Sequence, residues 1–402
     1  FSSLPAAADP NCANPEDSPG WLLRQSITEL AGPKASDAQR KAGVLRAWAL
    51  VHGLAMLILS GQIAPKDIDQ LINEVVSVDS LPVIGSPLFI ISNPDLVIAQ
   101  CKAGVVGSFP ALNARPGPVL DEWLDKITTE LAEWDEKNPD RKSAPYAVNQ
   151  IVHKTNNRLE HDVEACVRWK VPVVITSLGA RQDVNDAIHS YGGVVLHDII
   201  NVVFAHKALE KGADGLIAVC TGAGGHAGTL SPFALIQEIR QFFDGPLALS
   251  GSIATGNAVA AAQAMGADLG YIGSAFISCH EANAVEGYKD MIVDSKAGDI
   301  VYSNLFTGVH GNYLAPSIAK AGMDVNNLPE SDPSAMNFGS GGNQEAKAWK
   351  DIWGCGQGIG AIQTRMSTAD YVDQLEREYN GARDALAKRQ AYAAPKATVT
   401  AG

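Results

Sequence analysis

The sequence predicts an α/β protein whose main domain is a closed (β/α)8 TIM barrel. From about residue 82, short β-branched segments alternate with amphipathic helical stretches, which is the pattern of parallel strands joined by crossover helices. Eight strand candidates occur within about 190 residues, in keeping with barrels of this kind, which run to about 250 residues. They are residues 82–85, 104–108, 146–150, 171–176, 193–197, 215–219, 246–250 and 269–273. A doubly wound open sheet is the competing fold.

Helices are predicted between these strands and at the end of the chain. Residues 201–211 and 256–265 have helical spacing, and each stretch is followed by a glycine before the next strand. Residues 370–391 form a charged amphipathic pattern, which predicts a helix in a solvated outer layer of the barrel domain, residues 81–402.

Residues 1–80 carry no strand signal and predict a helical N-terminal segment. Helical patterns cover residues 20–30, 38–60 and 65–76. Two or three helices of this size cannot easily bury their own apolar faces, so we expect them to pack on the barrel or on a second subunit in a homodimer. The longest apolar run, residues 47–59, is shorter than the roughly 20 residues needed to span a bilayer, and we expect no membrane segment.

Composition narrows the class of protein. With 402 residues, 46% of them hydrophobic, the chain can bury a large core. Its net charge of -13 argues against binding to nucleic acid or to anionic membranes. The 6 cysteines lie far apart at spacings unsuited to a metal site, and the start of the chain lacks the basic and apolar regions of a secretory signal. We therefore expect reduced thiols and a cytoplasmic protein.

Small residues follow the seventh and eighth predicted strands. They are Ser250, Gly251 and Ser252 in the first loop, and Gly273 and Ser274 in the second. Their backbone N–H groups can approach a phosphate closely, and loops in these two positions are the usual phosphate site of a TIM barrel. No glycine-rich dinucleotide fingerprint follows an early strand. The predicted cofactor is therefore FMN, bound at the C-terminal ends of the strands.

A glycine-rich loop, CTGAGGHAG at residues 220–228, follows the sixth predicted strand. Its glycines allow the backbone to lie against a planar ligand. The loop presents one imidazole, His226, and a histidine with a pKa near neutrality can remove a proton from a carbon acid. We predict that His226 is catalytic; the alternative is that it only hydrogen-bonds within its loop.

The AGGHAG segment resembles the signature of the nitronate monooxygenases, formerly called 2-nitropropane dioxygenases. The similarity runs from about residue 81 to the end and includes residues 82–116, the YAVNQ strand, both phosphate loops and residues 351–362. It implies oxidation of alkyl nitronates, such as propionate 3-nitronate, by FMN and O2, with release of nitrite and a carbonyl compound. Separately, residues 47–63 resemble a fragment of the ligand-binding domain of TetR-type regulators.

The resemblance also implies roles for single residues. His226 matches the catalytic histidine of the family, and Asn149 matches a hydrogen-bond partner of the flavin pyrimidine edge. His197 stands where relatives have a polar or basic flavin contact. The full set of implied cofactor contacts is Ser86, Pro87, Leu88, Asn149, His197, Gly224, Gly225, Ser250, Gly251, Ser252, Gly273, Ser274, Gln357 and Gly358.

Two departures from the family pattern stand out. Gly222 occupies a position that is acidic in many relatives, and Ser252 replaces the second glycine of the phosphate loop. The first change affects the expected substrate, whereas the second leaves the backbone donor in place. In the segment of residues 306–314, His310, Asn312 and Tyr313 are candidates for a lid over the substrate, and an ordinary surface loop is the alternative.

Two other functions compete with nitronate oxidation. An NAD(P)H-dependent flavin reductase acting on a quinone or an enoyl thioester would use the same barrel. A ligand-sensing regulator is suggested only by the N-terminal helices, and the chain lacks a DNA-reading motif.

Overall fold

The computed structural model describes residues 81–331 and 352–389. Eight parallel strands form one sheet in the order β1, β9, β8, β6, β5, β4, β3, β2. The sheet strands are β1 (Val83–Gly85), β2 (Gly107–Pro110), β3 (Tyr146–Ile151), β4 (Val173–Ser177), β5 (Val194–Ile199), β6 (Gly215–Val219), β8 (Leu247–Ser250) and β9 (Leu269–Ile272). Each corresponds to one of the eight strand predictions. A second sheet joins β7 (Gly225–His226), β10 (Ile300–Ser303) and β11 (Gly311–Leu314).

The eight-stranded sheet closes on itself. Ile84 of β1 forms a parallel bridge with Val106, just before β2. The backbone N–H of Gly85 donates to Val106 O at 2.7 Å, and the N–H of Val106 donates to Val83 O at 3.1 Å. The predicted TIM barrel is therefore confirmed, and the open sheet is excluded.

The second strand begins three residues later than predicted. Gly104 has φ +96 and its N–H caps the preceding helix by donating to Cys101 O at 3.1 Å. A glycine in the left-handed conformation commonly ends a helix. The residues between Gly104 and Gly107 then connect the helix to β2. The glycine that the sequence suggested as the start of a strand is a helix cap.

Helices alternate with the barrel strands. They are α1 (Pro94–Ala103), α2 (Val119–Lys137), α3 (Leu159–Arg168), α4 (Gln182–His189), α5 (Val202–Glu210), α6 (Pro232–Ile239), α7 (Gly256–Met265), α8 (Ser274–Ile277), α9 (Glu286–Asp294), α10 (Ala315–Lys320) and α11 (Thr368–Lys388). Side chains cap several N-termini: the Asn201 and Thr255 side chains accept from the backbone N–H groups of Phe204 and Ala258. The helices predicted at residues 201–211 and 256–265 are confirmed as α5 and α7.

The C-terminal helix α11 is more than a solvated layer. Its Tyr371, Val372 and Leu375 are buried, and it packs against α7 and α1. At the crossing with α7, a Cβ on Gly256 would overlap Leu375 O, so the absence of a side chain allows the two backbones to approach closely. The amphipathic pattern predicted the helix, but its apolar face belongs to the core.

The apolar core lies between the barrel strands and the surrounding helices. Leu216, Leu249 and Val174 are completely buried or nearly so, as expected for parallel strands covered on both faces. The five cysteines within the described residues are free and buried. Among residues 81–331 and 352–389, no helix is long and apolar enough to cross a membrane. The predicted N-terminal helices, the boundary near residue 80 and the TetR-like segment lie outside the described residues.

Candidate active site

A large cavity opens at the C-terminal ends of the barrel strands. Its volume is about 1480 Å³. Pockets for one drug-sized ligand measure roughly 300–1,000 Å³, so this cavity has room for a cofactor and a second molecule. Binding at this end of the barrel is the rule for the fold, because the loops after the strands can vary without disturbing the core.

The structure brings almost all of the predicted site residues to this one cavity. The exceptions are His197 and Gln357. The predicted residues that line it are Ser86, Pro87, Leu88, Asn149, Gly224, Gly225, His226, Ser250, Gly251, Ser252, Gly273, Ser274 and Gly358. Residues separated by more than 270 positions in the sequence therefore converge on a single site.

The loop after β8 has a backbone that few side chains would permit. Gly251 has φ +141, and a Cβ there would lie 2.8 Å from Thr221 O. Ser252 follows with φ +58. Together with Gly273 and Ser274 after β9, this loop forms a small-residue cradle at the cavity wall. Such a cradle fits a phosphate group, because exposed backbone N–H groups can meet the phosphate oxygens without obstruction.

The glycine-rich loop after β6 is held against the segment that precedes α11. The N–H of Gln357 donates to Gly222 O at 2.9 Å, and the N–H of Gly356 donates to Ser274 Oγ at 2.8 Å. A Cβ on Gly224 would lie 2.8 Å from Gly356 N. Glycine is thus needed where these two backbones meet, and the close packing brings Gly358 to the cavity.

His226 lies on β7, which pairs with β11 through Gly311. Its Nε2 is 3.0 Å from Thr307 Oγ1, and that hydroxyl donates to Val309 O at 3.0 Å. With the hydroxyl hydrogen committed to a carbonyl, Nε2 is assigned as the donor to Thr307. Burial lowers the pKa of His226 to about 4. This pKa lies below the near-neutral value expected from the sequence, so the imidazole is neutral at pH 7 and can accept a proton, but it is a weaker base than an exposed histidine.

The nitronate monooxygenase family model matches residues 71–378 of the chain. The chain belongs to the nitronate monooxygenase family. A nitronate monooxygenase of Paraburkholderia phytofirmans is 26% identical over 344 residues, which cover 74% of this chain and 92% of that protein. Family membership makes the chain a flavin-dependent oxidoreductase.

Solved structures show the same fold. A nitroalkane oxidase from Streptomyces ansochromogenes superposes with a TM-score of 0.64 and 20% identity, covering 79% of this chain and 99% of that one. FabK from Thermotoga maritima also gives a TM-score of 0.64, with 22% identity and 79% and 97% coverage. At these identities the similarity establishes the barrel, and the chemistry has to be argued from the side chains.

Asp198 is a cavity residue that the sequence analysis missed. It lies near the end of β5, and its Oδ2 accepts a hydrogen bond from Ser177 Oγ at 2.6 Å. Ser177 Oγ in turn accepts from Asn149 Nδ2 at 2.7 Å, and Asn149 Nδ2 also donates to Ile175 O at 3.0 Å. Burial raises the pKa of Asp198 to about 6. The site of this family member thus contains a partly buried carboxyl group as well as an imidazole.

His197 is not brought to the cavity. Its buried ring contacts Thr176 Oγ1 through Nδ1 at 2.6 Å, and burial lowers its pKa to about 4. Successive side chains of a strand point to opposite faces, so the next residue, Asp198, lines the cavity instead. The predicted strand ended at His197, and extending it by one residue would have placed Asp198 on the cavity side of the strand. A flavin contact by His197 has no support from its position.

Gln357 also lies outside the cavity lining. Its side chain is exposed, and its backbone, rather than its amide, makes the link to Gly222 described above. The prediction that Gln357 contacts the flavin has no support from its position, whereas its neighbour Gly358 does line the cavity.

The two departures from the family pattern are neighbours in space. Gly222 has φ +82, and a Cβ there would overlap Ser252 Oγ and lie 3.0 Å from Gln357 Oε1. The Ser252 hydroxyl therefore occupies the space that a side chain at position 222 would need. An acidic residue at 222 is incompatible with this arrangement, so the two differences are sterically linked.

The segment near the cavity entrance differs from the predicted lid. Residues 305–308 line the cavity, whereas His310, Asn312 and Tyr313 do not. Asn312 Nδ2 donates to Ala223 O at 2.7 Å, Tyr313 is completely buried, and the exposed His310 stacks on Tyr302 at 5.1 Å. The Asn312 side chain and the backbone O of His310, which accepts from the N–H of Ala227 at 3.2 Å, contact the glycine-rich loop, whereas Tyr313 forms a bridge with Gly354.

Proposed function

We propose that this chain uses FMN and O2 to oxidise alkyl nitronates, such as propionate 3-nitronate, to a carbonyl compound and nitrite. The observation that carries the proposal is the convergence of His226 with the small-residue cradle and Asn149 in one cavity. A bound flavin supplies the electron transfer between the nitronate and O2. The remaining tasks fall to side chains and backbone groups of this chain.

The cofactor contacts follow from the hydrogen bonds already present. Residues 250–252 and 273–274 would hold the phosphate with backbone N–H groups and hydroxyls. Asn149 Nδ2 is committed to Ile175 O and Ser177 Oγ, so Asn149 would offer its Oδ1 as an acceptor for an N–H group on the flavin pyrimidine edge. We infer one FMN per chain. Release and identification of the cofactor tests this inference, and FAD would contradict it.

His226 would handle the substrate proton. A neutral imidazole has one unprotonated nitrogen, which can accept the α-proton of a neutral nitroalkane. An already ionised nitronate needs no base, and it would be held by hydrogen-bond donors of the glycine-rich loop. The burial that lowers the pKa of His226 keeps the ring in its accepting form throughout the neutral range.

The two substrate forms separate these roles experimentally. We expect His226→Asn to lower turnover of neutral nitroalkanes by about a hundredfold, the scale of a lost general base, and to retain much of the activity on pre-formed nitronates. Flavin content should stay unchanged, because the predicted phosphate and ring contacts come mainly from other loops. Turnover of both forms would be measured by nitrite release.

His310→Asn is the matched control, because it makes the same substitution near the same small sheet and outside the cavity lining. It should leave turnover of both substrate forms near the parent value. If His226→Asn equals the parent on both forms with full flavin occupancy, His226 is not the base, and the loop serves only as a surface for the flavin.

A second function is favoured by the size and outer wall of the cavity. Phe89, Ile90 and Val285 line it and are 37%, 44% and 63% exposed, which provides an apolar surface beyond the needs of a small nitronate. Such a surface suits an enoyl thioester or a quinone reduced at the expense of NAD(P)H. Anaerobic mixing with NADH discriminates the two functions, since rapid bleaching of the flavin would favour the reductase.

We also infer a cytoplasmic location and a homodimer. The free buried thiols of the described residues suit a reducing compartment, and the dimer follows from the apolar N-terminal patterns in the sequence. Sedimentation of the purified full chain tests the second inference, and a monomer would contradict it.

A further inference from the structure

The carboxyl group of Asp198 occupies an unusual position for an acid. It lines the cavity near the end of β5, and its single hydrogen bond within the described residues comes from Ser177 Oγ. The described residues place no cation in an ion pair with it. A partly buried carboxylate without a counter-ion carries a desolvation cost, and such groups are concentrated at functional sites.

The strand order places this carboxyl group beside the path of the cofactor. In the closed barrel, β3 and β8 are four strands apart in either direction, so Asn149 on β3 lies across the mouth from the loop after β8. A flavin that reaches from that loop to Asn149 must cross the opening of the barrel at the C-terminal ends of the strands. β5 lies two strands from each, and Asp198 reaches the cavity midway along one side.

The hydrogen bonds connect the carboxyl group to the predicted flavin contact. Asn149 donates to Ser177, and Ser177 donates to Asp198, so one hydroxyl separates the amide from the acid. Ionisation of Asp198 therefore polarises the amide whose Oδ1 is offered to the flavin. The charge acts on the cofactor both through space and through this network.

We infer that Asp198 sets the reduction potential of the bound flavin, through its charge and the Asn149–Ser177–Asp198 network, in a way that depends on pH. The inference rests on the proposed cofactor and adds a residue to its site. Asp198 acts here as a positioning and electrostatic group, and no proton transfer to substrate is assigned to it.

The direction of the effect follows from electrostatics. Two-electron reduction adds negative charge to the flavin ring near neutral pH. An ionised Asp198 disfavours that charge and lowers the potential, whereas a protonated Asp198 does not. Because burial raises the pKa of Asp198 to about 6, the carboxyl group is mostly neutral at pH 5 and mostly ionised at pH 8.

His226 lines the same cavity as Asp198, and because burial lowers the pKa of His226 to about 4, its ring is mostly neutral from pH 5 to pH 8. Ser177 on β4 donates a hydrogen bond to Asp198, Ile217 on β6 is the register partner of Asp198, and Tyr271 on β9 faces the same cavity. The pKa of Tyr271 is raised by burial and further by the charge of Asp198, while a hydrogen bond with Ser86 lowers it. Tyr271 therefore stays neutral over the range from pH 5 to pH 8.

The test compares flavin midpoint potentials of the intact holoprotein and of Asp198→Asn from pH 5 to pH 8, without any nitro compound. At pH 8 we expect the variant to be more positive by at least about 30 mV, which is a tenfold change in a two-electron equilibrium. At pH 5 the two potentials should agree.

The control is Glu133→Gln, which removes one negative charge from an exposed position of α2 and should leave the potential unchanged at both pH values. A second variant, Ser177→Ala, deletes the hydroxyl that stabilises the ionised carboxyl group. It should raise the pKa of Asp198 and move the pH-dependent fall of the potential to higher pH. This variant decides the question if Asp198→Asn does not retain flavin.

Equal potentials at pH 8 for the parent and Asp198→Asn, or the same difference at pH 5 and pH 8, would overturn the inference. An unchanged pH curve for Ser177→Ala would do the same. Equal potentials together with normal nitronate turnover would overturn this inference alone. A chain that binds no flavin would overturn the proposed function as well.

Discussion

The steric link between Gly222 and Ser252 predicts a measurable energetic coupling. Gly222→Ala should destabilise the protein in two ways. An alanine at φ +82 carries left-handed strain of about 1 kcal/mol, and its Cβ must displace the Ser252 hydroxyl, at a further cost of about 1–2 kcal/mol. We therefore expect the free energy of unfolding to fall by about 2–3 kcal/mol.

Ser252→Gly should act in the opposite direction. It removes the hydroxyl and relieves a non-glycine residue at φ +58, which is worth about 1 kcal/mol. In the double variant the overlap with Ser252 Oγ disappears, while the strain at residue 222 remains. The combined loss should then be smaller than the sum of the single effects, by about 1–2 kcal/mol.

The measurement is a double-mutant cycle of the parent, both single variants and the double variant, unfolded in urea and followed by circular dichroism. Independent sites give effects that add to within about 0.5 kcal/mol. Additivity within that margin would refute the steric link. A coupling of the opposite sign would show that Ser252 stabilises a side chain at position 222.

Two further predictions concern the cradle and the histidine. Gly251→Leu should fold and should retain less flavin than the parent, as measured by an absorption spectrum. A side chain at this position forces the loop to move, because φ is +141 and a Cβ would lie 2.8 Å from Thr221 O. Full flavin occupancy would show that this loop does not hold the phosphate. For neutral nitroalkanes, kcat/KM should fall as pH drops towards the pKa of His226, about 4, because only the neutral ring accepts a proton. This acidic limb should be missing in His226→Asn, and a limb centred near pH 6.5 would contradict the burial effect.

Local sequence patterns predicted the barrel because they encode the barrel's own requirements. Parallel strands covered on both faces need β-branched apolar runs, and close approach of the backbone needs glycine. These requirements can be read from neighbouring residues, so the strands, α5, α7 and the loops at residues 250–252 and 273–274 followed from the sequence. The family resemblance added Asn149 and supported His226, both of which line the cavity.

Long-range geometry decided the rest. Pairing of β7 with β11 joins residues some 85 positions apart, and no local period specifies it. A one-residue difference in where β5 ends exchanges His197 for Asp198 at the cavity, because side chains alternate along a strand.

The sequence by itself determined the fold class, the small-residue loops after β8 and β9 and the histidine of the glycine-rich loop. Only the tertiary structure decided that Ser252 fills the space above Gly222 and that Asp198 joins Asn149 through Ser177. Periodicity and glycine placement are properties of consecutive residues, whereas occupancy of space and hydrogen bonding between strands depend on which residues folding brings together.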